Sequence, residues 1–225
     1  MNTAIIVAAG SGNRFGGKIP KQFLEINEKP VLIYTIEKFD LCEDIDEIIV
    51  VLSKDWLVDF SNKIESFNFS KPIKLVVGGK TRAESVLNGL KTIETANAGI
   101  ISVHDGARPL VSTNEISKTI NKANETGAAC LVGKVTDTIK KVSAGKIEKT
   151  IDRNDLRRAL TPQCFQYDIL KSAFESNNSF ETATDECTLV ENNGFEVSIV
   201  EGSAKNIKIT HEEDLEIAKI FLENN

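Results

Sequence analysis

The chain has 225 residues, of which 41% are hydrophobic and 27% charged, as is ordinary for a globular protein with a sizeable core. Its net charge of −6 argues against a general nucleic-acid-binding protein, because that class needs a broad basic face. The longest apolar runs, 4–9 and 48–52, are only strand-sized, so we expect no membrane span. The N-terminus lacks the basic start and long apolar segment of a secretory signal, so the expected location is cytoplasmic.

The first part of the chain alternates between strand and helix patterns. Apolar runs predict strands at 4–7, 48–52, 73–77, 100–103 and 128–132. Between them, apolar spacing predicts helices from Val31, over 55–66 and behind the capping box Thr81-Arg82-Ala83-Glu84. This alternation predicts an α/β fold with a mostly parallel sheet and helices on both faces. In such sheets the ligand crevice lies at the carboxyl ends of the strands.

One later segment breaks this rhythm. Residues 134–151 alternate apolar and polar side chains around Ser143-Ala144-Gly145, which predicts a β-hairpin too polar for the core. A hairpin that projects from an α/β domain suggests a dimerisation arm, here about 134–155, or alternatively a surface flap. Because no linker, repeat or low-complexity tract interrupts the chain, residues 1–225 are predicted to form a single domain.

The remainder returns to helices and short strands from Tyr167, and Thr210-His211-Glu212-Glu213 is predicted to cap the last helix. The cysteines are scattered, at Cys42, Cys130, Cys164 and Cys187. With no pair at metal-ligand spacing and only two histidines in the chain, buried free thiols are expected rather than a structural zinc site.

A glycine-rich loop follows the first strand and resembles two phosphate-binding motifs without matching either. The dinucleotide motif G-x-G-x-x-G fails at Phe15, and the Walker A motif fails at Ile19, where a hydroxyl residue is required. What remains is a glycine loop with three cations, Arg14, Lys18 and Lys21. Such a loop suits a polyphosphate, because backbone N–H groups can approach its oxygens closely, but a flexible turn with solvated charges has the same pattern.

Three further segments carry candidate binding residues. In His104-Asp105-Gly106-Ala107-Arg108-Pro109, Asp105 suits a metal or ribose contact and Arg108 a phosphate clamp, whereas His104 is expected to be structural. Residues 151–163 are dense in guanidinium groups, which either bind an anion or form a solvated face. Lys208 is predicted to lie in an otherwise apolar strand over 206–210, where a buried ammonium needs a partner, for which an anionic ligand is one candidate.

Six ordered segments together resemble one family, the 2-C-methyl-D-erythritol 4-phosphate cytidylyltransferases of the non-mevalonate isoprenoid pathway. The resemblance covers nearly the whole chain. The segments are Ala8-Ala9-Gly10-Ser11-Gly12 with Arg14 and Pro20-Lys21-Gln22, Arg82-Ala83-Glu84-Ser85-Val86, His104-Asp105-Gly106-Ala107-Arg108-Pro109, Asp152-Arg153-Asn154 with Thr161-Pro162-Gln163, Thr184-Asp185-Glu186 and Asn206-Ile207-Lys208-Ile209-Thr210.

The resemblance implies a Rossmann-like nucleotidyltransferase fold, a homodimer through interlocking hairpin arms, and the use of CTP, Mg²⁺ and a polyol phosphate. It implies a catalytic role for Arg14, Lys21 and Lys208. The implied nucleotide-binding residues are Ala8, Ala9, Gly10, Ser11, Gly12, Gly79, Ser85 and Asp105. The implied substrate-binding residues are Asp105, Arg108, Thr138, Arg153 and Thr161, with Arg153 and Thr161 reaching across the dimer, and Asp105 is also the implied metal ligand.

A sister family, ribitol-5-phosphate cytidylyltransferase, shares much of this pattern and is the alternative. Its loop usually opens Ala-Gly-Gly, where this chain has Ala8-Ala9-Gly10, and its later segment usually reads Ser-Asp-Ala, where this chain has Thr184-Asp185-Glu186. A non-catalytic nucleotide sensor would have little need for Arg153 and Lys208. A dehydrogenase is disfavoured by Phe15 in the dinucleotide motif.

The implied reaction also fits the absence of a Ser-His-Asp or Cys-His pattern around the candidate site. A phosphate monoester has a second pKa of about 6, so it is largely deprotonated near neutral pH and needs no general base. The obstacle is the repulsion between two polyanions, which fixed cations, backbone N–H groups and Mg²⁺ relieve.

Overall fold

A seven-stranded mixed sheet forms the centre of the described structure, a computed structural model that describes residues 1–10, 19–176, 180 and 183–223. Its strands are β1 (Thr3–Ala8), β4 (Glu47–Leu52), β5 (Ile73–Val77), β6 (Ile100–Asp105), β7 (Ala128–Lys134), β10 (Arg157–Gln166) and β11 (Ser198–Glu201). They are ordered β11-β7-β10-β6-β1-β4-β5 across the sheet. Two short strands, β2 (Glu25–Ile26) and β3 (Lys29–Pro30), pair separately.

The sheet is parallel except at β10. β1 pairs in parallel with β4 and β6, β4 with β5, and β7 with β11, whereas β10 runs antiparallel between β6 and β7. The carboxyl ends of β1, β4, β5, β6 and β7 therefore meet at one edge, together with the beginning of β10. The carboxyl end of β11 lies at the same edge, because β11 is parallel to β7, so all seven strands contribute to the edge where ligands bind in parallel sheets.

Seven helices occur within the described residues; the first six pack on the two faces of the sheet, and the last joins a smaller cluster with Ile26, Val31 and Ala107. They are α1 (Val31–Asp40), α2 (Lys54–Ile64), α3 (Arg82–Leu90), α4 (Thr113–Thr126), α5 (Tyr167–Ser176), α6 (Glu186–Asn192) and α7 (Glu212–Glu223). One core contains residues of α1, α2 and α4, and the other contains residues of α3, α5 and α6. Strand side chains divide by alternation, since Ile48 and Val50 lie in the first core and Ile49 and Val51 in the second.

These features confirm the predicted α/β class. All five predicted strands and the helices at Val31, 55–66 and Thr81 are present, and Thr81 and Glu84 form the predicted capping box. The four cysteines are free and buried, as expected. None of the helices in the described ranges is long and apolar enough to cross a membrane.

Two expectations near the C-terminus were wrong. Residues 206–210 do not form a strand, and a single backbone-to-backbone hydrogen bond joins them to another described segment, from Ile209 N–H to the Ala107 carbonyl at 2.9 Å. The cap of α7 is the carboxylate of Asp214, which accepts the N–H groups of Thr210 and His211 at 2.8 and 2.9 Å. A carboxylate in the first turn satisfies these otherwise unpaired donors.

The predicted hairpin is also present, as strands β8 (Ile139–Ser143) and β9 (Lys146–Ile151). It forms a two-stranded sheet of its own, and nearly all of its residues are exposed. Ala144 and Gly145 turn the chain with positive φ angles of 48° and 75°. Because its side chains are exposed, the hairpin buries little surface against the other described residues. An isolated two-stranded hairpin of this kind is at best marginally stable in water.

Candidate active site

Three cations converge on one carboxylate at the carboxyl edge of the sheet. Asp105 ends β6, and its Oδ2 lies 2.8 Å from Lys208 Nζ and 3.4 Å from Arg108 Nε. Its Oδ1 accepts a hydrogen bond from Arg82 Nε at 3.0 Å. Burial alone would raise the pKa of Asp105, but Arg82, Lys208 and Arg108 outweigh it and hold the pKa far below its usual range. Asp105 is therefore ionised throughout the neutral range.

A second carboxylate, Glu186, forms an ion pair with Arg82 on the side away from Asp105. Glu186 is fully buried, and both of its oxygens accept from Arg82 Nη1, at 2.7 and 2.6 Å. Burial raises the pKa of Glu186, and Arg82 offsets part of that rise. The three cations and two carboxylates leave one net positive charge, which suits an anionic ligand.

Thr161 and His104 fix the backbone of Asp105. The N–H of Asp105 donates to Thr161 Oγ1 at 3.2 Å, and this hydroxyl lies 3.0 Å from His104 Nδ1. On the other side of the ring, His104 Nε2 donates to the Arg108 carbonyl at 3.2 Å. Burial lowers the pKa of His104 to about 3, so the imidazole is neutral. His104 is structural, as expected, because both ring nitrogens are occupied.

Thr161 is buried beside Asp105 of its own chain, where its hydroxyl accepts the N–H of Asp105. The reason is the register of β10, which pairs Gln163 with Val103 in antiparallel order and so brings Thr161 opposite the end of β6. That Thr161 also reaches across a dimer stays a prediction.

Side-chain hydrogen bonds fix the loop that places Lys208 next to Asp105. Arg108 Nη1 donates to the Asn206 carbonyl at 2.9 Å, and Asn206 Nδ2 donates to the Thr161 carbonyl at 2.9 Å. Farther back, Glu115 Oε1 accepts the N–H of Ser203 at 2.6 Å. These bonds replace strand pairing over 206–210 and carry the half-exposed Lys208 to Asp105.

The glycines after β5 lie against the end of β1. A Cβ placed on Gly78 would stand 2.5 Å from the Cβ of Ala9 and 2.8 Å from Ser85 Oγ. The N–H of Gly79 donates to the same hydroxyl at 3.1 Å. Only a residue without a side chain permits this approach at Gly78. The structure thus brings together Ala9, Gly79 and Ser85, three of the residues expected to bind the nucleotide.

Ala8 and Gly10 are tied to the segment that carries Lys21. The amide of the buried Gln22 donates to the carbonyls of Ala8 and Gly10, at 2.7 and 3.0 Å. This brings Lys21, the first residue of a single 3-10 turn, next to the start of the glycine loop. The predicted site residues Ser11, Gly12 and Arg14, together with Lys18, lie outside the described residues.

The predicted substrate residues of the hairpin region do not join the cluster at Asp105 within this chain. Thr138 is exposed immediately before β8, and Arg153 is exposed after β9, where its guanidinium donates to the Thr136 carbonyl. Both side chains therefore lie on the solvent-facing hairpin, whereas Arg108, Thr161 and Lys208 belong to the cluster.

Sequence reasoning missed the roles of Arg82 and Glu186. Arg82 was seen only as part of a capping box and of one motif, and Glu186 only as part of another motif, yet they form an ion pair whose carboxylate is almost completely buried. The available signal was that each stands in one of the six ordered segments.

The donors around Asp105 do not fit a metal held by the protein alone. Its three cationic neighbours would repel a divalent ion, and no group of three or more His, Cys, Asp or Glu residues suited to a metal occurs among the described residues. A magnesium ion would need most of its ligands from a bound phosphate.

Comparisons with known proteins identify the family. The family model described as 2-C-methyl-D-erythritol 4-phosphate cytidylyltransferase (IspD) matches residues 2–224. The enzyme of that name from Clostridioides difficile is 44% identical over 99% of this chain and 94% of its own. The one from Clostridium botulinum is 42% identical, over 99% of this chain and 97% of its own.

Solved structures agree with this family assignment. The structure of 4-diphosphocytidyl-2C-methyl-D-erythritol synthase from Anaerococcus prevotii has a TM-score of 0.86 and 29% identity, covering 99% of this chain and 96% of that one. The Francisella tularensis cytidylyltransferase structure has a TM-score of 0.81 and 34% identity, covering 98% and 99%. The chain belongs to the 2-C-methyl-D-erythritol 4-phosphate cytidylyltransferase family.

Proposed function

We infer that the chain, as a member of this family, transfers the cytidylyl group of CTP to 2-C-methyl-D-erythritol 4-phosphate and releases pyrophosphate, in isoprenoid precursor synthesis. The observation that carries the inference is the group of cations around Asp105 in a chain whose relatives bear the name of this reaction. The alternative acceptor, ribitol 5-phosphate, is not favoured, because the family model and these relatives are named for methylerythritol.

The chemistry of the cluster supports phosphoryl-type transfer without a general base. The acceptor phosphate is already largely ionised near neutral pH, since its second pKa is about 6. The nearby imidazole, His104, is neutral, buried and hydrogen-bonded through both nitrogens, so it has no free position for taking up a proton from a substrate. Lys208 and Arg108 instead supply fixed positive charge to the two phosphates that must meet.

We assign the individual roles as follows. Arg14, Lys21 and Lys208 stabilise the triphosphate and the charge that develops as pyrophosphate leaves. The glycine loop with Gly10, Ser11 and Gly12 binds the triphosphate beside these cations, and Ala8, Ala9, Gly79 and Ser85 surround the base and ribose of CTP. Asp105 and Arg108 face the reacting groups, and Thr161 supports Asp105 from its backbone side.

Magnesium enters this proposal as the companion of CTP. Mg²⁺ is commonly bound by one or two carboxylates together with substrate phosphates. The described donors favour this mode over a metal held by the protein alone. Asp105 is the carboxylate that would bind the ion together with the phosphates of CTP. None of the roles assigned to the other residues depends on the ion.

A homodimer would give the hairpin its packing surface. Val142 and Ile147 pair across β8 and β9 and are both largely exposed, which is unfavourable for an isolated two-stranded sheet. We propose that the arm, about 134–155, packs on a second copy and presents Thr138 and Arg153 to that copy's acceptor phosphate. A cytoplasmic location is consistent with the four free thiols, which a reducing compartment preserves.

A pyrophosphate-release screen tests the function. CTP, ATP, GTP and UTP are each offered with methylerythritol 4-phosphate and with ribitol 5-phosphate. Release with CTP and methylerythritol phosphate alone is the expected result. Equal or faster release with ribitol phosphate would overturn the acceptor, and no release with any pair would overturn the reaction class.

A further inference from the structure

We propose that Glu186 is a positioning residue for this reaction, acting through Arg82 on the carboxylate of Asp105. The inference rests on the proposed function, and it concerns a residue that lies behind the groups facing the substrates. Glu186 is fully buried and contacts Arg82 through both of its oxygens, while the same guanidinium donates to Asp105 Oδ1. Arg82 therefore connects a carboxylate hidden from solvent to the one at the centre of the cation cluster.

One strand fixes both ends of this connection. Thr161 in β10 accepts the N–H of Asp105, and Gln163, two residues farther along β10, accepts the N–H groups of Glu186 and Cys187 at 3.2 Å each. The amide of Gln163 also donates to Asp185 Oδ2 at 2.8 Å. Two positions of a single strand, Thr161 and Gln163, thus set the separation between Asp105 and Glu186, and Arg82 spans that separation.

Stability alone does not account for the pair. A buried ion pair contributes little stability compared with apolar residues of similar volume, because removing both charges from water is costly. Here the pair ends on the carboxylate that also receives Arg108 and Lys208. Without Glu186, Asp105 would be the one carboxylate in the described part of the chain that is ion-paired with these three cations, and Arg82 would be free to draw it away from Lys208.

Arg82 also links the two sides of the site. It is the first residue of α3, directly after the capping residue Thr81, whose carbonyl accepts from Ser85 Oγ at 2.9 Å. Ser85 in turn accepts the N–H of Gly79, which is expected to bind the nucleotide. Glu186 therefore holds the nucleotide side and the acceptor side of the site in a fixed relation.

Glu186→Gln tests the proposal, because it keeps the shape of the side chain and removes its charge. We expect kcat for pyrophosphate release to fall at least tenfold, and we expect Glu186→Asp, which keeps the charge, to retain more activity than Glu186→Gln. A role in packing alone would give the opposite order, since glutamine fills the same volume. The matched control is Glu47→Gln, a carboxylate that accepts from Thr3 Oγ1 at the opposite end of the sheet and should leave kcat unchanged.

A double-mutant cycle shows whether the effect passes through Arg82. If it does, adding Glu186→Gln to Arg82→Met lowers kcat by less than twofold. Multiplicative losses in kcat, or a normal kcat with only a lowered Tm, would overturn the proposal. Should Glu186→Gln fail to fold, Arg82→Met/Glu186→Met buries no unpaired charge, and a near-normal kcat in that variant would overturn the proposal, whereas a tenfold loss supports it.

Two further readouts separate this inference from the proposed function. Wild type and Glu47→Gln must both release pyrophosphate, and if neither does, the proposed function itself fails. A crystal structure of Glu186→Gln tests the positioning without any assay. A changed distance between Arg82 Nε and Asp105 Oδ1, now 3.0 Å, supports the proposal, and an unchanged Asp105 contradicts it.

Discussion

Replacing Lys208 by methionine removes one cation from the group around Asp105 with little change in volume. A unit charge about 4 Å away is worth roughly 4 kcal/mol at an effective dielectric near 20. The Lys208 side chain is 35% exposed, so solvent screening reduces this to roughly 2–3 kcal/mol. At about 1.36 kcal/mol per tenfold change in rate, Lys208→Met should lower kcat/KM about a hundredfold.

The fold should survive this change, because Asp105 keeps its contacts with Arg82 and Arg108. The assay is pyrophosphate release from CTP and methylerythritol 4-phosphate, with circular dichroism as the check on folding. Lys205→Met is the matched control, since this lysine is in the same loop but lies 5.2 Å over the ring of Phe221. A loss below about fivefold in folded Lys208→Met, or an equal loss in the control, would refute the electrostatic reasoning.

Three other predictions concern the remaining cations and the buried histidine. Lys21→Ala and Arg14→Ala should each lose about a hundredfold or more in kcat/KM with an unchanged circular-dichroism spectrum, and near-normal turnover would contradict these roles. Arg153→Ala should chiefly raise KM for the polyol phosphate, and mixing it with Arg14→Ala chains should restore activity through hybrid dimers, so no recovery would count against a shared site. Because the pKa of buried His104 is lowered to about 3, the unfolded chain binds its proton first as the pH falls. The contribution of His104 to the free energy of unfolding should therefore drop by about 1.4 kcal/mol per pH unit from about pH 6.5 towards pH 3. Urea unfolding measures this, and a slope in His104→Gln equal to that of the wild type would disprove it.

The centre of the sheet could be predicted because strands β1, β4, β6 and β7 are buried on both faces. Strands such as Ile48–Leu52 then read as unbroken apolar runs, and the polar residues that follow them mark one edge. The convergence of Asp105, Arg108 and Lys208 agrees with that reading. The capping box of Thr81 and Glu84 could also be predicted, because it depends on residues only three positions apart in the sequence.

Strand β10 could not be predicted by the same rule. It begins with Arg157 and Arg158 and contains Pro162, so its apolar run is interrupted although Thr161 to Phe165 are buried. Its antiparallel pairing joins residues far apart in the chain, which periodicity does not reveal. The bond between Arg82 and Glu186, 104 positions apart, is invisible for the same reason.

The loop that contains Lys208 shows a second reason why local structure could not be predicted from the sequence pattern. Its alternating residues suggested a strand, but the polar atoms of Asn206 bond with Arg108 and Thr161, so the backbone is held by side chains instead of a neighbouring strand. Short side-chain amides compete with regular backbone pairing in this way. That Lys208 needs a partner was thus predicted correctly, but the partner in the structure is the carboxylate of Asp105, and the local structure is a loop instead of a strand.

The cluster also explains how a cation-rich site can exist before its substrates arrive. Arg82, Arg108 and Lys208 repel one another, and at an effective dielectric near 20 each pair about 4 Å apart would cost roughly 4 kcal/mol. Asp105 and Glu186 offset that repulsion and leave one net positive charge. Since Arg108 and Lys208 share Asp105 Oδ2, phosphate oxygens can take over these contacts while Oδ1 stays bound to Arg82. The cations then need little rearrangement when charge develops on the leaving pyrophosphate, which is the condition for electrostatic stabilisation of a transition state.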